Sequence, residues 1–257
     1  MVESVTYKEV CRRYPAAKAE ADRINTPYSY YVLGRLSLRL VPFFLRRGFA
    51  PNTITTLCMG CMLVGLALVL LGAVSRWLMV CGALCLNMAM MLDNVDGHVA
   101  RFRDQCTRLG DFFDGMLSSI HYGLLPICLG LALYFGGPEP YEARLGIAIA
   151  PSAWLVLAVL RMFVSEATIT VTVRGRALLE QRRYDLRVHS KRLLALANWV
   201  AEGEVALLLF VPLLGLLGPM HVFYTLFHIA GLAAATIQNG RDLAAADKAD
   251  ECERGAS

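Results

Sequence analysis

Between Met91 and Ser119 the chain reads MLDNVDGHVARFRDQCTRLGDFFDGMLSS, with carboxylates at helical spacing. Asp93 and Asp96 are three apart, and Gly97 and Ala100 complete the same helix face. After a short turn Gly110 opens a second helix, Asp114 follows one turn in, and Ser118 and His121 lie further along its face. Helix ends joined by so short a turn must be neighbours, so their carboxylates converge on one cavity. Like charges held that close repel unless a cation lies between them. Oxygen-only ligands suit a hard divalent ion, Mg²⁺ or Mn²⁺, and such ions commonly act alongside substrate phosphates. The small Gly97 and Ala100 let a bulky ligand lie against the backbone, while Arg101 and Arg108 face its negative charge. The expected chemistry is metal-assisted and acts on a phosphate-bearing substrate.

The elements that carry these residues are membrane helices. Of 257 residues, 56% are hydrophobic and 18% charged, and the mean hydropathy is +0.49. Soluble domains carry about 25% charge, so a water-soluble globule is disfavoured. Disorder and a disulfide-stapled or collagen-like chain are excluded by the apolar content and the lack of a glycine period. Apolar runs long enough to span a bilayer lie near 53–74, 77–96, 112–135, 145–165, 196–217 and 220–238. The expected fold is all-α: six transmembrane helices behind an amphipathic interfacial helix over 28–47. It forms one domain over 1–257, with an N-terminal segment 1–50, a bundle 51–240 and a tail 241–257.

Lys and Arg alternate between connections. Residues 1–50 hold nine, the turn at Arg76 one, the next loop three (Arg101, Arg103, Arg108), the loop at Arg144 one, residues 166–195 seven, and the last turn none. By the positive-inside rule both termini and the carboxylate site are cytoplasmic. No secretory signal peptide is expected at the start of the chain. Cys58 and Cys61 form a CxxC, but mid-helix and without His or carboxylate neighbours they read as small hydrophobes. Nucleic-acid binding is not expected, because the basic residues follow the orientation pattern and no stacking platform accompanies them.

The motif resembles that of the CDP-alcohol phosphotransferases, D-x2-D-G-x2-A-R-x8-G-x3-D-x3-D. Asp93, Asp96, Gly97, Ala100, Arg101, Gly110 and Asp114 match it position for position, and Pro51–Thr55 (PNTIT) resembles the family's PNxxT. The resemblance implies that Asp93, Asp96 and Asp114 bind the divalent metal that holds the diphosphate of a CDP-linked lipid or alcohol donor. It also implies that Gly97 and Ala100 line the nucleotide pocket, that Arg101 supports the site, and that Asn52 and Thr55 approach the phosphates. A Pro-Asn-x-x-Thr helix start is equally ordinary capping chemistry. A hydroxyl-bearing acceptor then displaces CMP. Head-group synthesis in a prokaryotic plasma membrane, contact with membrane lipid, and a homodimer are further family expectations.

One position departs. The family's fourth aspartate, the base in its proposed mechanism, is Ser118 here, and serine is no ordinary general base at neutral pH. Another group can substitute, either His121 one turn beyond or Asp111 one turn before Asp114. Alternatively, the metal acidifies the acceptor enough that a weak base or water suffices. In a third reading the chain is a silent CDP-lipid-binding homologue or uses another donor. An ion-coupled transporter is the rival from a different class, but it places carboxylates near the midplane, often with internal repeats. Arg161, Glu166, Glu202, Glu204, Gln238, Asn239 and Arg241 form a second polar group on the same side.

Overall fold

The computed structural model describes residues 5–137, 140–149 and 188–231, with 152, 156, 233 and 237. Side chains at 17, 108, 109, 111, 112, 114, 115, 119 and 188–194 lie outside that description. Most of the expected fourth span, the basic loop before residue 188, the end of the sixth span and the tail also lie outside it. So do Arg161, Glu166, Gln238, Asn239 and Arg241.

Among the described residues every regular element is helical. Two short helices, α1 (Tyr7–Arg12) and α2 (Ala16–Asn25), precede a π turn at Ser29–Leu33 that runs into α3 (Gly34–Arg46). In α3, Ser37, Val41, Phe44 and Leu45 are buried along one stripe while Arg35, Arg39 and Arg46 are exposed, so the helix is amphipathic. Gly48, at φ +75°, ends it. The Phe49 amide reaches back to the Phe44 carbonyl at 3.1 Å, a cap that favours a residue free of Cβ strain.

Helix α4 (Pro51–Leu70) begins with proline at its first position, where the missing N–H costs nothing. A 3₁₀ turn at Leu71–Ala73 leads to α5 (Arg76–Phe102), and α6 (Arg108–Gly136) follows. Helices α4 and α5 pair antiparallel. The Cys58 thiol donates to the Ala89 carbonyl at 3.2 Å, and Gly65 meets Gly82 so closely that a Cβ on Gly82 would stand 2.7 Å from the Gly65 oxygen. Among the described residues, three stretches are long and apolar enough to cross a membrane: Pro51–Ala73, Arg76–Phe102 and Met116–Gly136. They correspond to the first three expected spans.

The expected fifth span, 196–217, is not one helix. Helix α7 (Val188–Leu207) stops, residues 208–210 form a turn, and α8 (Val211–Leu214) is short. Pro212 supplies the reason: its ring collides with the carbonyl four residues back and it offers no N–H. Gly215, at φ +72°, then caps α8 before a helical run over 217–231.

The chain before α4 is tied to the bundle by polar contacts. The Asn198 amide donates to the Ile24 carbonyl at 2.9 Å. The Tyr28 hydroxyl donates to Asn87 Oδ1 at 2.6 Å, and Asn87 Nδ2 donates to the Ala83 and Val205 carbonyls. Glu202, only 5% exposed, accepts the backbone N–H groups of Tyr28 at 2.8 Å and Ser29 at 3.3 Å. Those amides belong to the first turn of a helix that begins at Pro27, so Glu202 caps a remote helix N-terminus.

Candidate active site

Helix α5 has to end near Phe102 for its carboxylates to reach the start of α6. Asp104, at φ +54°, supplies the left-handed residue, and the Gln105 amide closes on the Ala100 carbonyl at 2.8 Å. Thr107 then caps α6, its hydroxyl accepting the Gly110 amide at 3.1 Å. The five residues between the helices therefore make two defined caps.

A cavity of about 390 Å³ opens where α4, α5, α6, α7 and α2 meet. Its lining brings together Asn52 and Thr55 from α4, Asp93, Asp96, Gly97, Ala100 and Arg101 from α5, and Gly110, Ser118 and His121 from α6. The side chains of Arg108, Asp111 and Asp114 are outside the described residues, although all three positions lie on α6.

Local contacts organise the lining. The Thr55 hydroxyl donates to Asp96 Oδ2 at 2.6 Å, so Thr55 holds one of the carboxylates. The Arg101 guanidinium lies over Gly97, where a Cβ would stand 3.1 Å from Nη2. Glycine at 97 thus makes room for the arginine of the same motif. Arg101 Nε is buried with no hydrogen-bond partner among the described residues, a donor left for a ligand to satisfy. Glu202 also lines the cavity while capping the helix at Tyr28. Glu204 is 4% exposed and lies 3.3 Å from His228 Nε2.

Two carboxylates on successive turns, with hydroxyl and amide oxygens nearby, form a hard-oxygen donor set that fits Mg²⁺ or Mn²⁺. Among the described residues no group of three His, Cys, Asp or Glu side chains gathers as a complete metal cluster.

Compared with protein-family models, residues 49–230 match the CDP-alcohol phosphatidyltransferase model, more than two thirds of the chain. The chain belongs to the CDP-alcohol phosphatidyltransferase family. A search of curated proteins gives no match. Membership makes the protein a transferase at the level of the family, whose reaction moves a phosphoalcohol group from a CDP-alcohol to an acceptor alcohol. The apolar helices agree with a membrane location.

Sequence reasoning missed one wall of this transferase's cavity. Lys18, Asp22, Thr26 and Ser29 line it from outside the family-matched residues. Tyr122 and His98, from inside the match, line it as well. Only the Lys18–Asp22 spacing is visible in the sequence, and an i,i+4 pair signals a helix rather than a site.

Proposed function

We propose that the protein moves a phosphoalcohol group, specifically a phosphatidyl group in phospholipid synthesis, from a CDP-linked donor to an acceptor hydroxyl and releases CMP. The observation that carries this is the single cavity in which Asp93, Asp96, Gly97, Ala100, Arg101, Ser118 and His121 meet. Asp93 and Asp96, with Asp114, hold Mg²⁺ or Mn²⁺. Bound there, the ion supplies neutralising charge for a diphosphate. Arg101, held over Gly97, offers to a donor oxygen its Nε, which has no hydrogen-bond partner among the described residues, while Ala100 and Gly110 leave space for the nucleotide and Asn52 approaches the phosphates. Arg108 adds positive charge at the start of α6.

The acceptor oxygen bonds to the phosphorus that carries the alcohol, and the bond from that phosphorus to the CMP oxygen breaks. The acceptor's proton passes to an imidazole nitrogen of His121, which lines the cavity one turn beyond Ser118. Asp111 is the alternative acceptor of that proton. The basic connections support cytoplasmic termini and a cytoplasmic site. Six spans, contact with membrane lipid, a homodimer and a prokaryotic plasma membrane complete the proposal.

The test is CMP release from purified protein given CDP-diacylglycerol, Mg²⁺ or Mn²⁺ and a panel of acceptor alcohols. Donor binding without turnover would make the chain a silent homologue, and solute uptake without CMP would make it a transporter. His121→Ala is expected to lower kcat about 10²-fold and remove the acid-side limb of the pH–rate profile. Adding Ser118→Asp should restore much of the rate. An unchanged rate and pH profile in His121→Ala ends the assignment of the base.

Thr55→Val removes the bond to Asp96. It should raise the Mn²⁺ concentration for half-maximal activity by about 10-fold, as expected for a lost partner of a metal ligand, while Thr55→Ser stays near the parent. Equal metal dependence in all three proteins would contradict the role of Thr55.

A further inference from the structure

The N-terminal wall of the cavity makes contacts that reach one particular side chain. Arg13 Nη1 donates to the Phe102 carbonyl at 2.8 Å, and its guanidinium lies 4.4 Å from the centre of the Phe102 ring. These contacts pin the end of α1 to the end of α5. The neighbouring Tyr14 ring meets the His98 ring edge-on at 4.9 Å. Its hydroxyl donates to Asp22 Oδ2 at 2.6 Å, and Asp22 also pairs with Lys18 at 2.8 Å. Burial, followed by the bond to Asp22, raises the Tyr14 hydroxyl above the usual tyrosine range, so it stays a donor. His98 is 8% exposed, and its Nδ1 lies 3.4 Å from Arg101 Nη2.

We infer that Tyr14 and His98 are positioning residues: the Tyr14 ring fixes the His98 imidazole, whose Nδ1 accepts from Arg101 Nη2 and keeps the guanidinium facing the nucleotide side of the cavity. The inference rests on the proposed donor site but goes beyond it, because Tyr14 lies outside the family-matched residues. Arg101 has long rotamer freedom, and ordering it costs entropy that binding must otherwise supply. Here one Nη is engaged by His98 while the buried Nε remains without a partner among the described residues. A guanidinium held this way meets an anionic oxygen in a fixed orientation. The contact requires the tautomer that leaves Nδ1 without a proton. The first two short helices thereby become part of the donor site.

The test uses the full chain in detergent with CDP and Mn²⁺ as the binding probe, and CMP release from CDP-diacylglycerol as the kinetic one. His98→Phe keeps an aromatic ring for Tyr14 but removes the acceptor. It should weaken CDP binding and raise the donor KM about tenfold, with kcat within about threefold, the pattern of lost uniform binding. His98→Asn returns an acceptor oxygen and should recover binding to within about threefold. Tyr14→Leu, which removes the ring from the other side, should shift CDP binding in the same direction as His98→Phe and keeps the test available if that variant does not fold.

CDP affinities for His98→Phe and Tyr14→Leu equal to the parent's would overturn the inference and leave the donor site standing. It would also fall if His98→Asn bound CDP as weakly as His98→Phe and both melted early, because His98 would then be a packing residue. A parent protein that binds no CDP in the presence of Mn²⁺ would overturn the donor site and this inference together.

Discussion

Asp93→Asn and Asp96→Asn are each expected to reduce CMP release on the order of 10²–10³-fold or more, the range for losing a charged stabiliser at a reacting phosphate. The amide keeps the shape of the carboxylate but not its charge. The two residues occupy successive turns of α5 and line the same cavity. Like charges at that spacing oppose each other in the metal-free protein. Neutralising one should therefore leave the metal-free melting temperature unchanged or raise it, while the upward shift produced by Mn²⁺ shrinks. That divergence separates loss of a metal ligand from loss of fold. Full CMP release by either variant, or a Mn²⁺ shift equal to the parent's, would remove the metal-ligand assignment.

The second large effect falls on stability. Glu202→Leu fills a similar volume but leaves the buried amides of Tyr28 and Ser29 without their acceptor. Each unsatisfied donor costs about 1–3 kcal/mol, so a loss of about 3 kcal/mol, or roughly 6–12 °C in Tm for a chain of this size, is expected. Glu202→Gln retains an acceptor oxygen and should recover most of it. Amide exchange at Tyr28 and Ser29 should speed up in Glu202→Leu and stay slow in Glu202→Gln. A Tm for Glu202→Leu within a degree of the parent's would show that the cap contributes little. Because Ser29 and Thr26 line the cavity, the same variant should also weaken CDP binding.

How much was legible follows from the range of the interactions. The three apolar stretches were readable because a membrane span is a local property of about 20 residues. The meeting of Asp93, Asp96, Ser118 and His121 in one cavity was readable too, because a helix, a short turn and a second helix leave few placements. The double role of Glu202 was not. Its partners are Tyr28 and Ser29, more than 170 positions away, and a buried carboxylate near a span end looks the same in sequence whether it meets a substrate or a helix terminus. The stop at Leu207 had a local signal in Pro212, outweighed by the apolar run around it.

By itself, the order of residues determined the groups offered at the end of α5: carboxylates, small residues and an arginine, at intervals that helical geometry turns into one face. It also determined the family, since that face is what the motif encodes. Tertiary structure alone decided what holds the face in place. Thr55 on Asp96, Glu202 on the amides of Tyr28 and Ser29, and Tyr14 against His98 are contacts across long loops. Helical periodicity acts over a few residues, whereas the closing of a long loop depends on packing everywhere else in the chain.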